Sequence, residues 1–314
     1  MSNKIKTIFI GTPDFAIPSL QTLINSADFE VIGVITQPDK PIGRKQIMTS
    51  PAIKTEAEKH SIPVYQPIKI KNEKLKIKNY DLIVVVAYSQ IIPKTMLDAP
   101  KYGVINVHGS LLPKYRGAAC VQWPLINGDK ETGTTIMKMD AGLDTGPIIA
   151  QKSFEILKTD TAGTLYNKVA EAGARILVPT LNDYISGKIK PQIQNETQAN
   201  YVKQIKKEDA RIDWSKSAKY IERFIRGMQP WPGAFGQLKI KNEELRIKII
   251  WTSFEVLDIN KYKLGEIFSF ENKLAVQCKK GALLIEKLQM AGKKCISGEQ
   301  CLCGHKDLIG KILN

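Results

Sequence analysis

The residue types and spacing of Asn106 and His108, in the segment INVHGSLLP, favour acyl-transfer chemistry. In an extended strand, residues two positions apart project from the same face and lie ~7 Å apart along the chain. Open α/β sheets bind their ligands at the carboxyl ends of such strands, and Gly109 permits a sharp exit there. An amide and an imidazole that converge at this point can donate hydrogen bonds to an oxyanion. The alternative is that His108 only holds the following loop in place.

Asp144 adds a carboxylate to this pair. It lies in MDAGLDTGP, a tight loop bounded by Gly142, Gly146 and Pro147. A carboxylate near His108 would raise the pKa of the imidazole and could pass a proton through water. The three side chains together form a plausible acyl-transfer set. By spacing alone, an ordinary turn aspartate is an equally good interpretation of Asp144.

The loop GTPDF, residues 11–15, argues against a dinucleotide cofactor. Proteins that bind NAD or FAD usually have G-x-G-x-x-G at the end of their first strand, where glycines allow close approach of the pyrophosphate. Pro13 and Asp14 occupy those positions here. A plain strand-to-helix turn with Asp14 as the helix cap is another interpretation of this loop.

The elements that position these residues follow an alternating pattern in the first half of the chain. Continuous apolar runs alternate with stretches that are apolar at helical spacing. Such runs are typical of strands covered on both faces by crossover helices. We therefore predict a parallel-rich α/β sheet, with strands at KTIFI, VIGVIT, DLIVVVAY, YGVINVH and residues 134–139 and 147–154, and with helices at residues 15–25, 120–127 and 164–185.

The pattern changes after a polar segment interrupted by Gly and Pro. ELRIKII and KLAVQC alternate apolar and polar residues with a period of two, which is typical of antiparallel strands with one solvated face. We predict a catalytic domain at residues 1–187, a linker at 188–205 and a basic C-terminal domain at 206–314. The last should form a small antiparallel β-barrel of the OB-like kind, with one helix at residues 216–227 leading into it.

The charge distribution favours a polyanionic partner. The chain carries 46 Lys and Arg against 31 Asp and Glu, a net charge of +15. Residues 206–314 hold 21 Lys and Arg against 13 Asp and Glu, so the net positive charge per residue of this part is about twice that of the rest. Such a distribution suits nucleic acid, although Lys-rich usage also follows from genomic base composition.

The cysteines do not predict a disulfide framework. Five is an odd number, and no apolar run approaches the ~20 residues that span a bilayer, so we expect reduced thiols in a cytoplasmic protein. Cys295, Cys301, Cys303 and His305 have the donor types that bind zinc, but their spacing lacks the paired C-x2-C of persuasive sites. Unpaired thiols in a helix or loop are the alternative.

Seven segments carry a resemblance to methionyl-tRNA formyltransferases. They span nearly the whole chain in that family's order and spacing, and are GTPDF, VITQPD, VVVAY, NVHGSLLPKYRGAA, GLDTGPII, ARIDW and QPWPG. The resemblance implies the Rossmann-like formyltransferase fold. It also implies transfer of a formyl group from 10-formyltetrahydrofolate to methionyl initiator tRNA in translation initiation. No metal is implied, and we expect a monomer.

The resemblance assigns roles to individual residues. The family's catalytic triad falls on Asn106, His108 and Asp144. The folate-binding residues that it implies are Tyr88, Ser110, Leu111, Leu112 and Pro113. The loop TQPDKPIGRK, which without the resemblance is a solvated basic loop, is similar to the family's insertion into the tRNA acceptor stem. The tRNA-binding residues are then Lys40, Arg44 and Lys45 in this loop, and Lys206 and Lys207 in the basic domain.

Four features depart from the family's usual sequence. The basic loop is one residue shorter and holds fewer cations, which implies a weaker or differently distributed grip on the acceptor end. Ser89 stands where the family usually has Gly, Cys120 follows RGAA in place of Pro, and Trp123 replaces a more polar residue. These three positions lie beside the expected site and bear on its shape.

Two other functions fit parts of the sequence. A folate-dependent formyltransferase for a small amine, such as glycinamide ribonucleotide or an amino sugar, would share the three catalytic residues but leave the basic loop without a purpose. A non-catalytic RNA-binding protein would need the basic loop but not an intact triad.

Overall fold

The computed structural model describes residues 4–43, 45–70, 77–240 and 243–314. These residues form two compact units. Unit 1 lies within residues 1–120, 132–154 and 166–202, and unit 2 within residues 121–131, 155–165 and 203–314. In the described ranges, no helix has both the length and the apolar character needed to span a bilayer.

Unit 1 is built on a central sheet of seven strands. The strands up to residue 202 are β1 Ile5–Gly11, β2 Phe29–Ile35, β3 Lys40–Ile42, β4 Ile47–Thr49, β5 Val64–Tyr65, β6 Leu82–Val86, β7 Val104–His108, β8 Arg116–Gly117, β9 Glu131–Lys138, β10 Ile148–Glu155 and β11 Tyr201–Val202. The order in the central sheet is β10-β9-β7-β6-β1-β2-β5. The run from β7 to β5 pairs in parallel, whereas β9 is antiparallel to β7. The predicted parallel-rich sheet is confirmed.

The apolar runs form strands because both faces of the sheet are covered. Along β6, Val84 and Val86 pack in one core cluster with Phe9, while Ile83 and Val85 pack in a second cluster. Successive side chains of a strand point to opposite faces, so every position of such a strand must be apolar. The buried run of β6 therefore determines its place at the centre of the sheet.

The helices up to residue 185 are α1 Ile17–Ile24, α2 Ala52–Lys59, α3 Lys94–Leu97, α4 Gln122–Asn127 and α5 Ala162–Ile185. Of these, α1, α4 and α5 lie close to the predicted segments. Leu20 and Leu23 of α1 and Leu177 and Leu181 of α5 belong to the same buried cluster as Phe9. The three- and four-residue spacing of these leucines is what places them on one helix face.

Unit 2 contains a second, antiparallel sheet. Its strands are β12 Phe235–Ile240, β13 Glu243–Leu257, β14 Ile267–Phe270, β15 Lys273–Gln277, β16 Ala282–Met290 and β17 Ile296–Ser297, and its further helices are α6 Ala218–Gly227 and α7 Gly298–Gly304. The order is β12-β13-β16-β15-β14, and β17 pairs with β16. The predicted antiparallel strands and the helix leading into them are confirmed.

The expected closed barrel is not formed by the strands of unit 2 that the structure describes. β12 and β14 stay at opposite ends of the strand order. Instead, the final residues of the chain hydrogen-bond to both: the Gln237 N–H of β12 donates to the Asn314 carbonyl oxygen at 2.8 Å, and the Ile267 N–H of β14 donates to the Lys311 carbonyl oxygen at 2.9 Å. This segment covers two edges that would otherwise expose unpaired backbone groups.

Candidate active site

Asn106 and His108 project from one face of β7, as their spacing predicts. β7 lies between β6 and β9, where Asn106 is in register with Met137 and His108 with Thr135. Both side chains are nearly buried, at 9% and 6% exposure. No described group forms a hydrogen bond with the Asn106 amide. A nearly buried amide without a partner is costly unless a ligand or water binds it, which makes Asn106 available to a substrate.

The imidazole of His108 is held between a carbonyl oxygen and a carboxylate. Its Nε2 lies 3.1 Å from the Tyr115 carbonyl oxygen, which can only accept, so Nε2 carries a proton and donates. Its Nδ1 lies 3.7 Å from the Asp144 Oδ2. That separation is too long for a direct hydrogen bond, but an oxygen ~2.8 Å from each atom would bridge them.

The charge state of His108 is set by competing effects. Burial, the largest effect, lowers the pKa, but electrostatic attraction to Cys120 and a hydrogen bond with its sulfur raise it. Asp144 and the Tyr115 carbonyl add to the increase, and the pKa of His108 is raised to about 9. At neutral pH the ring is therefore an imidazolium whose Nδ1–H points toward the space beside Asp144.

The loop around Asp144 is rigid for identifiable reasons. Asp144 has a left-handed backbone with φ 54°, a conformation that Asp tolerates better than most residues. A Cβ at Gly146 would lie 1.9 Å from the Lys138 carbonyl oxygen, so no side chain fits there. On the other side, the Gly117 N–H donates to the Asp144 Oδ2 at 2.8 Å. The carboxylate is thus aimed at His108 by bonds from outside its own loop.

The predicted folate-binding segment, residues 110–113, is a braced loop that follows His108. The Thr135 hydroxyl donates to the Ser110 carbonyl oxygen at 2.6 Å and accepts from the Leu112 N–H at 3.1 Å. The Gln151 amide donates to the Leu112 carbonyl oxygen at 2.8 Å. The Ser110 and Leu112 side chains are buried, whereas Leu111 and Pro113 are partly exposed.

Three hydroxyls without partners lie at the carboxyl ends of parallel strands. The side-chain oxygens of Thr12, Thr36 and Tyr88 are buried, and in the described part of the chain none has a hydrogen-bond partner. They follow β1, β2 and β6, the edge at which open α/β sheets bind ligands. Burial raises the pKa of Tyr88 to about 12, so its hydroxyl stays protonated and available as a donor.

Sequence comparison connects both parts of the chain with one family. Residues 3–181 match the profile described as formyl transferase, and residues 204–306 match that of the formyl transferase C-terminal domain. A methionyl-tRNA formyltransferase of Bacillus velezensis is 44% identical, with 98% of this chain and 97% of that protein covered. One of Clostridium perfringens is also 44% identical, with 98% and 100% covered. The chain belongs to the methionyl-tRNA formyltransferase family.

Solved structures share the fold of this formyltransferase. WlaRD, described as a sugar 3N-formyltransferase in the presence of dTDP and 5-N-formyl-THF, is 26% identical with a TM-score of 0.67 over 93% of this chain and 100% of that one. An N-formyltransferase from Helicobacter canadensis, in complex with folinic acid and dTDP-3-aminofucose, is 21% identical with a TM-score of 0.63 over 90% and 98%. The predicted formyltransferase fold is confirmed.

The predicted tRNA-binding residues of this formyltransferase lie in two places. Lys40 and Lys45 are exposed on the β3–β4 hairpin, whose apolar side chains Ile42, Ile47 and Met48 are also exposed. Arg44 lies outside the described residues. Lys206 and Lys207 are exposed in unit 2. The surface position of all four described lysines leaves them accessible to phosphates.

The C-terminal cysteines do not converge with other metal ligands. Within the described ranges, no three His, Cys, Asp or Glu side chains come together as a metal site. Cys301 is buried in α7, whereas Cys295 and Cys303 are exposed. Because these cysteines lie in different environments, their donor types alone were a poor guide to a zinc site.

Sequence reasoning missed three polar residues that hold the site of the formyltransferase in shape. Thr135 and Gln151 brace the loop after His108 from β9 and β10. Gln194, in the segment predicted as a linker, binds the backbone of the Asp144 loop. A buried Thr in the strand beside that of His108 was a usable signal for the role of Thr135. Nothing in the local pattern indicated the role of Gln194.

Proposed function

We propose that this protein transfers the formyl group of 10-formyltetrahydrofolate to the α-amino group of methionyl initiator tRNA. The observation that carries the proposal is the convergence of Asn106, His108 and Asp144 at the end of β7 in a chain of this family. Two relatives named methionyl-tRNA formyltransferase are 44% identical over 98% of its length.

Asn106 and His108 stabilise the oxyanion that forms when the amine adds to the formyl carbon. The Asn106 amide donates to no other group in the described part of the chain, and the imidazolium of His108 offers its Nδ1–H. Donors that are already oriented and nearly buried favour the charge that develops in the transition state. An α-amino group with a pKa of ~7.7–8.0 is partly neutral near pH 7, so it attacks without strong activation.

Asp144 transfers a proton from the attacking amine to the leaving folate nitrogen. The new C–N bond forms as the amine loses a proton, and the bond from the formyl carbon to the folate nitrogen breaks as that nitrogen gains one. The carboxylate accepts the first proton, directly or through a water between it and His108, and returns it to the leaving nitrogen. Tyr88 and residues 110–113 surround the donor, at the sheet edge where the hydroxyls of Thr12 and Thr36 also have no partner among the described residues.

The tRNA is held by basic groups in both units. The loop TQPDKPIGRK contributes Lys40, Arg44 and Lys45, and the C-terminal domain, residues 206–314, contributes Lys206 and Lys207. We place the catalytic domain at residues 1–187 and the linker at 188–205. The net charge of +15 supports phosphate binding by this chain. The protein acts as a monomer in the cytoplasm, where initiator tRNA is used.

A formylation assay with three acceptors tests the proposal. Purified protein and 10-formyltetrahydrofolate are supplied with methionyl initiator tRNA, methionyl elongator tRNA or a nucleotide-linked amino sugar. We expect formyl-methionine on the initiator tRNA alone. Faster transfer to the amino sugar would support a small-amine formyltransferase. Binding of tRNA without transfer to any acceptor would support an RNA-binding protein, and either result overturns the proposal.

A further inference from the structure

Gln194 is a buried side chain within an exposed, polar segment. Its neighbours Ile193 and Asn195 are exposed, Ile193 to 92%, whereas Gln194 is exposed to only 5%. The segment as a whole was predicted to be a linker because it is polar and interrupted by Gly and Pro. A buried amide costs free energy unless each of its polar atoms has a partner, so the partners of Gln194 are informative.

The amide of Gln194 connects the Asp144 loop with Arg116. Its Nε2 donates to the carbonyl oxygens of Asp144 at 2.8 Å and Gly146 at 2.7 Å. Its Oε1 accepts from Nε of Arg116 at 3.1 Å and from Nη2 at 2.9 Å. Carbonyls only accept and guanidinium groups only donate, so this orientation of the amide is the one the chemistry allows.

Arg116 gives this connection a rigid base. Its side chain is fully buried, and besides Gln194 it donates to both carboxylate oxygens of Glu196, at 2.9 and 2.7 Å, and to the Tyr201 hydroxyl at 2.8 Å. Every N–H of the guanidinium group therefore has an acceptor. The next residue, Gly117, donates its N–H to the Asp144 carboxylate. Arg116 and Gly117 thus support Asp144 in two ways: Gly117 binds its carboxylate directly, and Arg116 holds the Gln194 amide that binds its backbone.

We infer that Gln194 is a positioning residue for the catalytic reaction, which holds the Asp144 carboxylate at its place beside His108. The inference rests on the proposed function, because it gives Asp144 the proton-transfer role. Asp144 has a left-handed backbone, so its loop needs support from outside. Gln194 is separated from it by 50 positions and supplies that support through the two carbonyl oxygens on either side of Thr145.

Replacement of Gln194 should slow the chemical step without weakening substrate binding. A displacement of ~1 Å in a catalytic group commonly costs ~100-fold in rate. For Gln194→Met we therefore expect kcat to fall about 10- to 100-fold, with KM for both substrates changed less than about threefold. Gln192→Met is the matched control, because Gln192 lies two residues away with an exposed side chain. It should behave as wild type.

Gln194→Glu distinguishes positioning from a structural role. The Glu side chain keeps an acceptor for Arg116 but loses the N–H donors to Asp144 and Gly146. If support of Asp144 matters, this variant is as slow as Gln194→Met. If Gln194 only completes the Arg116 network, Gln194→Glu keeps near wild-type kcat and the inference is overturned. It also serves as the second variant if Gln194→Met does not fold, as judged by circular dichroism.

A double-mutant cycle separates this inference from the proposed function. Asp144→Ala alone should lower kcat strongly, and adding Gln194→Met to it should cost less than about twofold, since coupled residues are not additive. If Gln194→Met lowers kcat by the same factor in the Asp144→Ala protein as in the wild type, Gln194 acts through another group and only this inference fails. If Asp144→Ala keeps wild-type kcat, the proton-transfer role fails and this inference with it.

The titration of His108 gives a readout that general loosening would not produce. Asp144 is one of the groups that raise the pKa of His108. NMR titration should show a lower pKa for His108 in Gln194→Met and in Asp144→Ala, and no change in Gln192→Met. An unchanged His108 pKa in Gln194→Met would show that the carboxylate has not moved, against the inference.

Discussion

Replacement of Cys120 by Ala tests how the structure sets the charge of His108. Cys120 is partly exposed and is the first of the groups that raise the pKa of His108 against the effect of burial. With the sulfur removed, burial acts against Asp144 and the Tyr115 carbonyl only, so the pKa should fall from about 9 toward or below its ordinary value of 6.5. The sign follows because removing a partner of the charged form favours the neutral imidazole.

The expected magnitude follows from the two pKa values. At pH 7.5 a His with a pKa of about 9 is ~97% protonated, whereas one with a pKa of 6.5 is ~9% protonated. If the imidazolium is the form that stabilises the oxyanion, Cys120→Ala should lose about tenfold in rate at pH 7.5 and much less at pH 6. In the wild type, the rate should rise as the amine deprotonates near pH ~8 and fall above pH ~9.

The assay is single-turnover formylation of methionyl-tRNA measured from pH 6 to pH 10. Cys303→Ala is the control, because Cys303 is an exposed cysteine in unit 2. NMR titration of the chain's three histidines reports the pKa of His108 directly, with His60 and His305 as internal references. If the rate of Cys120→Ala still begins to fall only near pH 9, the sulfur does not raise the pKa of His108 and this part of the reasoning is refuted. A lowered pKa with unchanged rate at pH 7.5 would refute the role given to the imidazolium.

Three further substitutions follow from the geometry. Asn106→Ala should lower kcat about 100- to 1000-fold, as loss of an oxyanion donor does, while tRNA affinity measured by filter binding stays within about twofold; a loss of affinity instead would contradict its assignment. Ser89→Gly should stabilise the protein by up to about 1 kcal/mol in thermal unfolding, because Ser89 has φ 66° and an exposed side chain; a lower Tm would show that its backbone carries no strain. Gly146→Ala should abolish activity and lower Tm, since its Cβ would lie 1.9 Å from the Lys138 carbonyl oxygen; an active, stable variant would mean that the loop is not rigid.

Local sequence determined the features that depend on neighbouring residues. The period of two placed Asn106 and His108 on one face of β7, and the apolar run of β6 required a strand covered on both sides. Glycines that exclude a side chain were visible in the Asp144 loop before its path was known. The antiparallel character of the second sheet also followed from alternation, whereas the way its edges are covered did not.

The tertiary structure decided which distant groups meet. The Asp144 carboxylate lies 3.7 Å from the His108 ring, and hydrogen bonds from Gly117 and Gln194 hold Asp144 there, although these segments lie far apart in the chain. The polar segment around Gln194 has the composition of a linker. Composition does not reveal which of its polar side chains is buried, so the role of Gln194 could not be predicted from it. Likewise, Cys120 was visible only as an unusual residue until the fold placed its sulfur against His108. Periodicity reports which face a residue occupies, while the partner on that face depends on the path of the whole chain.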